Sequence, residues 1–332
     1  MSELRYNLIS REWVIIAAER AKRPRDFSKA AKETKHLPEF KPNCPFCPGN
    51  EDKTPTEIFR LGQERLWKVR VTYNKFPALS PKSGHQRFKE GTFRSMDGFG
   101  VHEVIVEHPR HNMIIPLMSE EEVADIIGVY KKRYLAIQQQ EDIEAIVIFK
   151  NHGAEAGTSL EHAHSQLIAT PIVPPQIRNR LTHAMHYFDE TGKCIFCNTL
   201  EQELRADKRV VLETDGFVSF IPYAALSPFH LWIFPRRHEA SFANIEDNEI
   251  QDLAKNLKIT LAKLYQGLDN PDLNFTLHST PIHERSVEYF HWYISVIPRV
   301  SKVAGFELGS GIFINVALPE ESAEFLRSVK TT

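Results

Sequence analysis

The reactive side chains of this sequence concentrate in four cysteines and 15 histidines. The cysteines form two Cys-x-x-Cys pairs, Cys44-Pro45-Phe46-Cys47 and Cys194-Ile195-Phe196-Cys197, each enclosing a phenylalanine. This spacing serves a disulfide framework, a redox couple or half of a metal site. A disulfide framework belongs to a short secreted chain; this one has 332 residues and begins MSELRYNLISREW, which does not read as a signal peptide. A redox couple needs a thioredoxin-like βαβ setting that neither pair has. A shared four-cysteine ribbon needs its pairs roughly 15–20 residues apart, and these stand in opposite halves of the chain. Each pair is therefore expected to supply half of its own tetrahedral metal site, with histidines supplying the rest.

The histidines recur in the same order in the two halves. After Cys44 and Cys47 come Asn74-Lys75-Phe76-Pro77-Ala78-Leu79-Ser80-Pro81, a strand-like stretch over 102–107, and Pro109-Arg110-His111. After Cys194 and Cys197 come Ala225-Leu226-Ser227-Pro228, a strand-like stretch over 229–234, and Arg236-Arg237-His238. A helical pattern follows each. A capping box, Ser119 to Glu122, precedes the periodic Val123, Ile126, Ile127, Tyr130 and Ile137. Asp247 and Asn248 precede Ile250, Leu253, Ala254, Leu257, Leu261 and Leu264. His162 and His291 come next, leading into β-prone stretches over 166–171 and 293–298. The chain thus reads as a duplicated α+β module, divided into residues 1–175 and 176–332. Its expected metal sets are Cys44, Cys47, His111 and His162, and Cys194, Cys197, His238 and His291. His108 competes with His111, but only His111 aligns with Arg237-His238. Four nitrogen and sulfur donors suit a closed structural zinc site, which predicts two zinc ions per chain.

The halves differ at one telling place. The first reads His162-Ala163-His164-Ser165-Gln166, whereas the second has Tyr293 where His164 stands. Residues that hold a fold are needed in both copies, and a catalytic residue only once. This marks His164 as the reactive group and His162 as the ligand. Upstream, Asn151, Gly153, Gly157, Thr158 and Ser159 make a small polar loop whose amides can approach phosphate oxygens. A neutral imidazole can attack a phosphoryl centre, and Gln166 can donate to the oxygen that gains charge. Phe76 and Phe149 are candidates to flank a nucleoside base. Trp13, Trp232, Trp292 and most other phenylalanines read as core.

Composition narrows the partners. Basic and acidic residues number 41 and 43, a net charge of −2, so nothing favours nucleic acid. No apolar run approaches the ~20 residues that span a bilayer, and a cytoplasmic enzyme is expected.

On these residues the sequence resembles the galactose-1-phosphate uridylyltransferase family of the histidine triad superfamily. The likeness covers nearly the whole chain. It includes Arg20-Ala21-Lys22-Arg23-Pro24, Cys44/Cys47, Asn74, Phe149-x-Asn151-x-Gly153, Gly157, Ser159 and His162-x-His164-x-Gln166. The resemblance implies antiparallel half-barrel sheets flanked by helices, and a homodimer. It implies ping-pong transfer in which His164 takes the nucleotidyl group of a nucleotide sugar and passes it to a sugar phosphate or phosphate. Arg20 and Arg23 would then meet phosphates, and Asn74 and Glu307 would join the substrate-binding set. The first reading is a UDP-glucose:hexose-1-phosphate uridylyltransferase. The alternatives are an ADP-sugar phosphorylase, an adenylylsulfate:phosphate adenylyltransferase and, in another class, a non-catalytic zinc-stabilised nucleotide-binding protein. Two departures bear on the choice. Lys75 stands where the uridylyltransferases usually carry an aspartate, and Phe313 where they carry a glutamine that reads hexose hydroxyls. The second cysteine pair and the ending from Gly305 to Gly311 look more like the ADP-glucose phosphorylase branch.

Overall fold

Strand-forming alternation dominates both halves, and the structure, a computed structural model, joins most of it into one large sheet, beside a small three-stranded sheet and a two-stranded one. Residues 2–17, 27, 37–63 and 66–331 are described. Arg20 and Arg23 lie outside them. In chain order the first half supplies β1 (Glu3–Tyr6), β2 (Trp13–Ile16), β3 (Glu57–Gln63), β4 (Leu66–Tyr73), β5 (Arg87–Glu90), β6 (Phe93–Met96), β7 (Val101–Val106), α1 (Glu120–Ile137), β8 (Ala145–His152) and β9 (His164–Thr170). The helices α2 (Pro175–Thr191) and α3 (Ile195–Ala206) follow. The second half adds β10 (Val210–Glu213), β11 (Phe217–Phe220), β12 (Leu231–Pro235), α4 (Asp247–Gly267), β13 (Leu273–His278), β14 (Tyr293–Pro298), α5 (Gly305–Ser310), β15 (Phe313–Asn315) and α6 (Pro319–Ser328).

The ten-stranded sheet runs β10-β11-β12-β14-β13-β8-β9-β7-β4-β3, all antiparallel, so each half contributes five strands in mirrored order. The halves meet where β8 pairs with β13, with Phe149 opposite Thr276. On its other side Phe149 pairs with Gln166, and Thr276 pairs with Ser295. A pseudo-twofold axis between Phe149 and Thr276 therefore maps Gln166 onto Ser295 and His164 onto Tyr293. The expected fold class, a duplicated α+β module with antiparallel sheets and flanking helices, is the observed one.

One face of the sheet is covered by α1 and α4, which pack on each other over the main core. Ser119 caps α1 as its sequence predicts: its hydroxyl accepts from the Glu122 N–H at 3.2 Å and its own N–H donates to the Glu122 carboxylate at 2.7 Å. The helix α4 starts one residue earlier than Asp247 and Asn248 suggested, because Glu246 is the cap and its N–H donates to the Glu249 carboxylate. Trp13 is not core: it is 49% exposed, with the Tyr6 ring at a centre-to-centre distance of 5.1 Å. Its neighbours Val14 and Ile16 take the inward positions of β2, and strand alternation turns Trp13 outward.

The helix-covered face holds polar groups that apolar periodicity does not foretell, a charged pair among them. Lys150 of β8 is buried and donates to the Glu107 carboxylate at 2.5 Å. The Ser165 hydroxyl also donates to Glu107, and Tyr130 reaches Ser165 at 2.5 Å. Removing one partner strands the other charge. We expect Lys150→Met to cost about 3–5 kcal/mol in chemical denaturation, with Glu107→Gln added to it recovering a large part. Additive losses from the two changes would refute a coupled pair.

Candidate active site and metal centres

The open face of the sheet, away from α1 and α4, carries the candidate residues. Cys44 and Cys47 lie on a turn stabilised by the Cys47 N–H to Cys44 carbonyl bond. They meet His111 and His162 in a buried group whose donor atoms all lie within 4.8 Å of one another. Cys44 Sγ and Cys47 Sγ are each 3.6 Å from His162 Nδ1, and Cys47 Sγ is 3.6 Å from His111 Nδ1. A tetrahedral ion with Zn–S of about 2.3 Å and Zn–N of about 2.0–2.1 Å sets S···N near 3.5 Å. The first donor set fits such an ion. In the second set Cys197 Sγ lies 3.2 Å from His238 Nδ1 and 3.3 Å from His291 Nδ1, with Cys194 beside them. Hydrogen bonds from Cys197, His238 and His291 lower the pKa of the Cys194 thiol, which favours the thiolate form that a metal requires. No other such group occurs among the described residues.

In the first set, a bond to the opposite nitrogen fixes the ligand nitrogen of His162. His162 Nε2–H donates to the His108 carbonyl at 2.7 Å, which leaves Nδ1 facing the sulfurs. Burial lowers the His162 pKa to about 4, favouring the neutral ligand form. The His108 ring turns away, 3.1 Å from the Glu122 carboxylate, so His111 and not His108 enters the cluster.

His164 is the first residue of β9, and His162 lies just before the strand. Shared strand alternation therefore does not link them. The link is a hydrogen bond: His164 Nδ1–H donates to the His162 carbonyl at 2.8 Å, leaving Nε2 without a partner among the described residues. Burial and then the nearby Lys150 charge lower the His164 pKa, which favours a neutral imidazole. The Phe46 ring lies 5.3 Å from the His164 ring, centre to centre. In the other half Phe196 stands 5.7 Å from Tyr293. There Trp232, Phe234 and His278 also pack on Tyr293, so aromatic rings fill the space.

Around His164 the structure gathers Gln166, Asn74, Phe149 and Asn151 on the same face. The Gln166 Oε1 accepts from Asn74 Nδ2 at 3.3 Å and lies 2.8 Å from His102 Nε2. Asn151 Oδ1 accepts from Asn274 Nδ2 at 2.8 Å, and Arg299 Nε donates to Asn274 Oδ1 at 2.5 Å. Phe76 is 82% exposed. The loop from Gly153 to Ser159 begins at the end of β8, with Thr158 donating to the Leu160 carbonyl. The Glu307 carboxylate accepts from the Ala304 N–H at the start of α5. Two partners were missed in the sequence, His102 and Asn274. The signal for His102 was available, since His230 stands at the matching place in the other half.

This fold and site define a nucleotidyltransferase of the hexose-1-phosphate type. The chain belongs to the galactose-1-phosphate uridylyltransferase family. Residues 1–174 match the family's N-terminal domain and residues 180–330 its C-terminal domain. An ADP-glucose phosphorylase from Arabidopsis thaliana is 39% identical over 99% of this chain and 93% of its own. A galactose-1-phosphate uridylyltransferase from Thermotoga maritima is 31% identical over 99% of both. The crystal structure of an Arabidopsis thaliana ADP-glucose phosphorylase with bound ADP-glucose superposes with a TM-score of 0.84 at 34% identity, covering all of both chains.

Gly153 is fixed by geometry. It has φ +86° and ψ 160°, a region open essentially to glycine, and a Cβ there would overlap the Asp272 carboxylate, which accepts from the Glu155 N–H. We expect Gly153→Ala to lower stability by at least about 1–3 kcal/mol in urea unfolding and to reduce turnover, while Gly91→Ala, on an open turn, does not affect turnover.

Proposed function

We propose that this protein is an ADP-sugar phosphorylase that works through a covalent nucleotidyl-His164. The observation that carries the reading is His164 Nε2, without a partner among the described residues, set by the Nδ1–H bond to the His162 carbonyl and flanked by Gln166. In the first step Nε2 forms a bond to the α-phosphorus of the ADP-sugar. The bond from that phosphorus to the bridging oxygen breaks, and sugar 1-phosphate leaves. The ring becomes an imidazolium, whose Nδ1–H bond to the carbonyl strengthens as charge appears. Gln166 donates to the non-bridging oxygen that gains charge. In the second step a phosphate oxygen attacks the same phosphorus, the N–P bond breaks, ADP leaves and neutral His164 returns.

Adenosine over uridine rests on three supports. Identity is higher to the ADP-glucose phosphorylase than to the uridylyltransferase named above. Lys75 replaces the usual aspartate beside Asn74. Phe313 lies in β15 opposite Val14 and packs on the Val14, Ile16 and Ala224 cluster, so it offers no hydrogen bond to a hexose. Arg20 and Arg23 would meet the phosphates, while Asn74, Phe76, Phe149, Asn151, Gly153, Gly157, Thr158, Ser159 and Glu307 would form the substrate surface. The Cys/His sets are taken as two structural zinc sites per chain, and the enzyme as a cytoplasmic homodimer.

Incubation with ADP-glucose labelled at the α-phosphorus, then denaturation, should leave one acid-labile, base-stable label per chain, absent in His164→Asn. Label from UDP-glucose instead would make the protein a uridylyltransferase, and no label from either would overturn the covalent mechanism. Elemental analysis should find about two zinc ions per chain in the wild type and about one in Cys194→Ser, with that variant melting lower. Equal zinc content in both would remove the second site.

A further inference from the structure

We infer that His102 is a positioning residue that turns the Gln166 amide so that its NH2 group faces the reacting phosphate. This rests on the role of Gln166 proposed above. A glutamine side chain has two faces of similar shape, one a donor and one an acceptor, and only the donor helps a phosphate oxygen that gains negative charge. Something must therefore choose the face.

The choice traces to two backbone N–H groups of the loop that follows β4. The Ala78 N–H donates to His102 Nδ1 at 3.0 Å. A nitrogen that accepts carries no proton in the neutral ring, so the proton sits on Nε2. That Nε2–H is 2.8 Å from Gln166 Oε1 and donates to it. In the same way, the Phe76 N–H donates to Asn74 Oδ1 at 2.8 Å, which leaves Asn74 Nδ2 to face Gln166 Oε1 at 3.3 Å. Two donors thus converge on Oε1. Asn74 Nδ2 is also 3.1 Å from His102 Nε2, a contact between two donors that the shared acceptor explains. Were Gln166 reversed, three donors would face one another, so the amide nitrogen is left to the other side.

The repeat keeps a related arrangement. His230 Nδ1 lies 3.4 Å from the Leu226 N–H, and Nε2 lies 2.8 Å from the hydroxyl of Ser295, the counterpart of Gln166. In both halves the histidine ties the preceding loop to the sheet. Only in the first half does its second nitrogen meet a side chain with a spare donor beside His164. His102 therefore has a loop-holding part and an orienting part, and a test must separate them.

Asparagine and glutamine do so. An asparagine at 102 reaches the place of Nδ1, so it can hold the Ala78 N–H but cannot reach Gln166. A glutamine reaches the place of Nε2 and can donate to Oε1. The measurement is the single-turnover rate of nucleotidyl transfer from ADP-glucose to the enzyme, with kcat and KM, for His102→Asn, His102→Gln, Gln166→Ala and the double variant His102→Asn/Gln166→Ala. Gln166→Ala should slow transfer roughly 10²–10³-fold, as for one oxyanion donor. His102→Asn should lower kcat roughly tenfold or more with little change in KM, and His102→Gln should restore most of it. In the Gln166→Ala background His102→Asn should cost nothing further, because nothing is left to orient. If His102→Asn costs the same with and without Gln166, or if His102→Gln is as slow as His102→Asn, the histidine only holds the loop and the inference is wrong. If Gln166→Ala leaves transfer unchanged, the role given to Gln166 fails and the inference falls with it, which the first variant alone reveals.

Discussion

The antiparallel ladder between β8 and β13 is the interaction on which the rest of the structure depends. It joins two five-stranded halves, and it places β8 in the middle of a wide sheet with both of its edges hydrogen-bonded. That strand holds Phe149 and Asn151 on the open face and Lys150 on the covered one. Its C-terminal end turns into the glycine loop, and the first residue beyond the strand, Gly153, packs on Asp272, just before β13 begins. A strand so held cannot shift register by one residue without moving every candidate substrate contact to the wrong face. The ladder therefore fixes the frame in which β9 presents His164 and Gln166.

Within that frame, imidazole rings with two unlike nitrogens set the chemistry. In each of three histidines of the first half, one nitrogen is tied to the backbone and the other is thereby assigned. His162 gives Nε2–H to a carbonyl and Nδ1 to the sulfurs; His164 gives Nδ1–H to a carbonyl and leaves Nε2 without a partner among the described residues; His102 takes an N–H at Nδ1 and donates through Nε2. These bonds chain together: His108 supports His162, whose carbonyl supports His164. A metal at the cysteine pair would thus steady the His164 ring through one hydrogen bond, by way of His162.

Much of this was legible in the sequence because duplication repeats what a fold needs. The order of cysteines and histidines gave both donor sets, and the absence of a partner for His164 set it apart. The Ser119 capping box was readable because capping is local. Other features were hidden for physical reasons. Strand order depends on pairings distant in sequence. The Lys150–Glu107 pair is formed by residues that look like ordinary polar positions of two separate strands. Trp13 was misjudged because its size suggested core, whereas its place at the start of a strand of the small three-stranded sheet turns it outward. His102 was visible only as one residue of a strand; its meaning lies in which nitrogen meets which atom.

The five strands of the first half, taken alone, would leave β8 as a bare edge, with a row of unpaired N–H and C=O groups. Because the ladder is antiparallel and crosses the pseudo-twofold axis at Phe149 and Thr276, a second copy of that same half would satisfy it in nearly the same register. The chain is in this sense a dimer whose subunits share one covalent backbone. A free pair of halves would come apart on dilution, whereas tethered halves meet at an effective concentration set by the connecting segment. The second half, with aromatic rings packed on Tyr293 where the first half has His164, thus makes the assembly of the large sheet independent of how much protein is present.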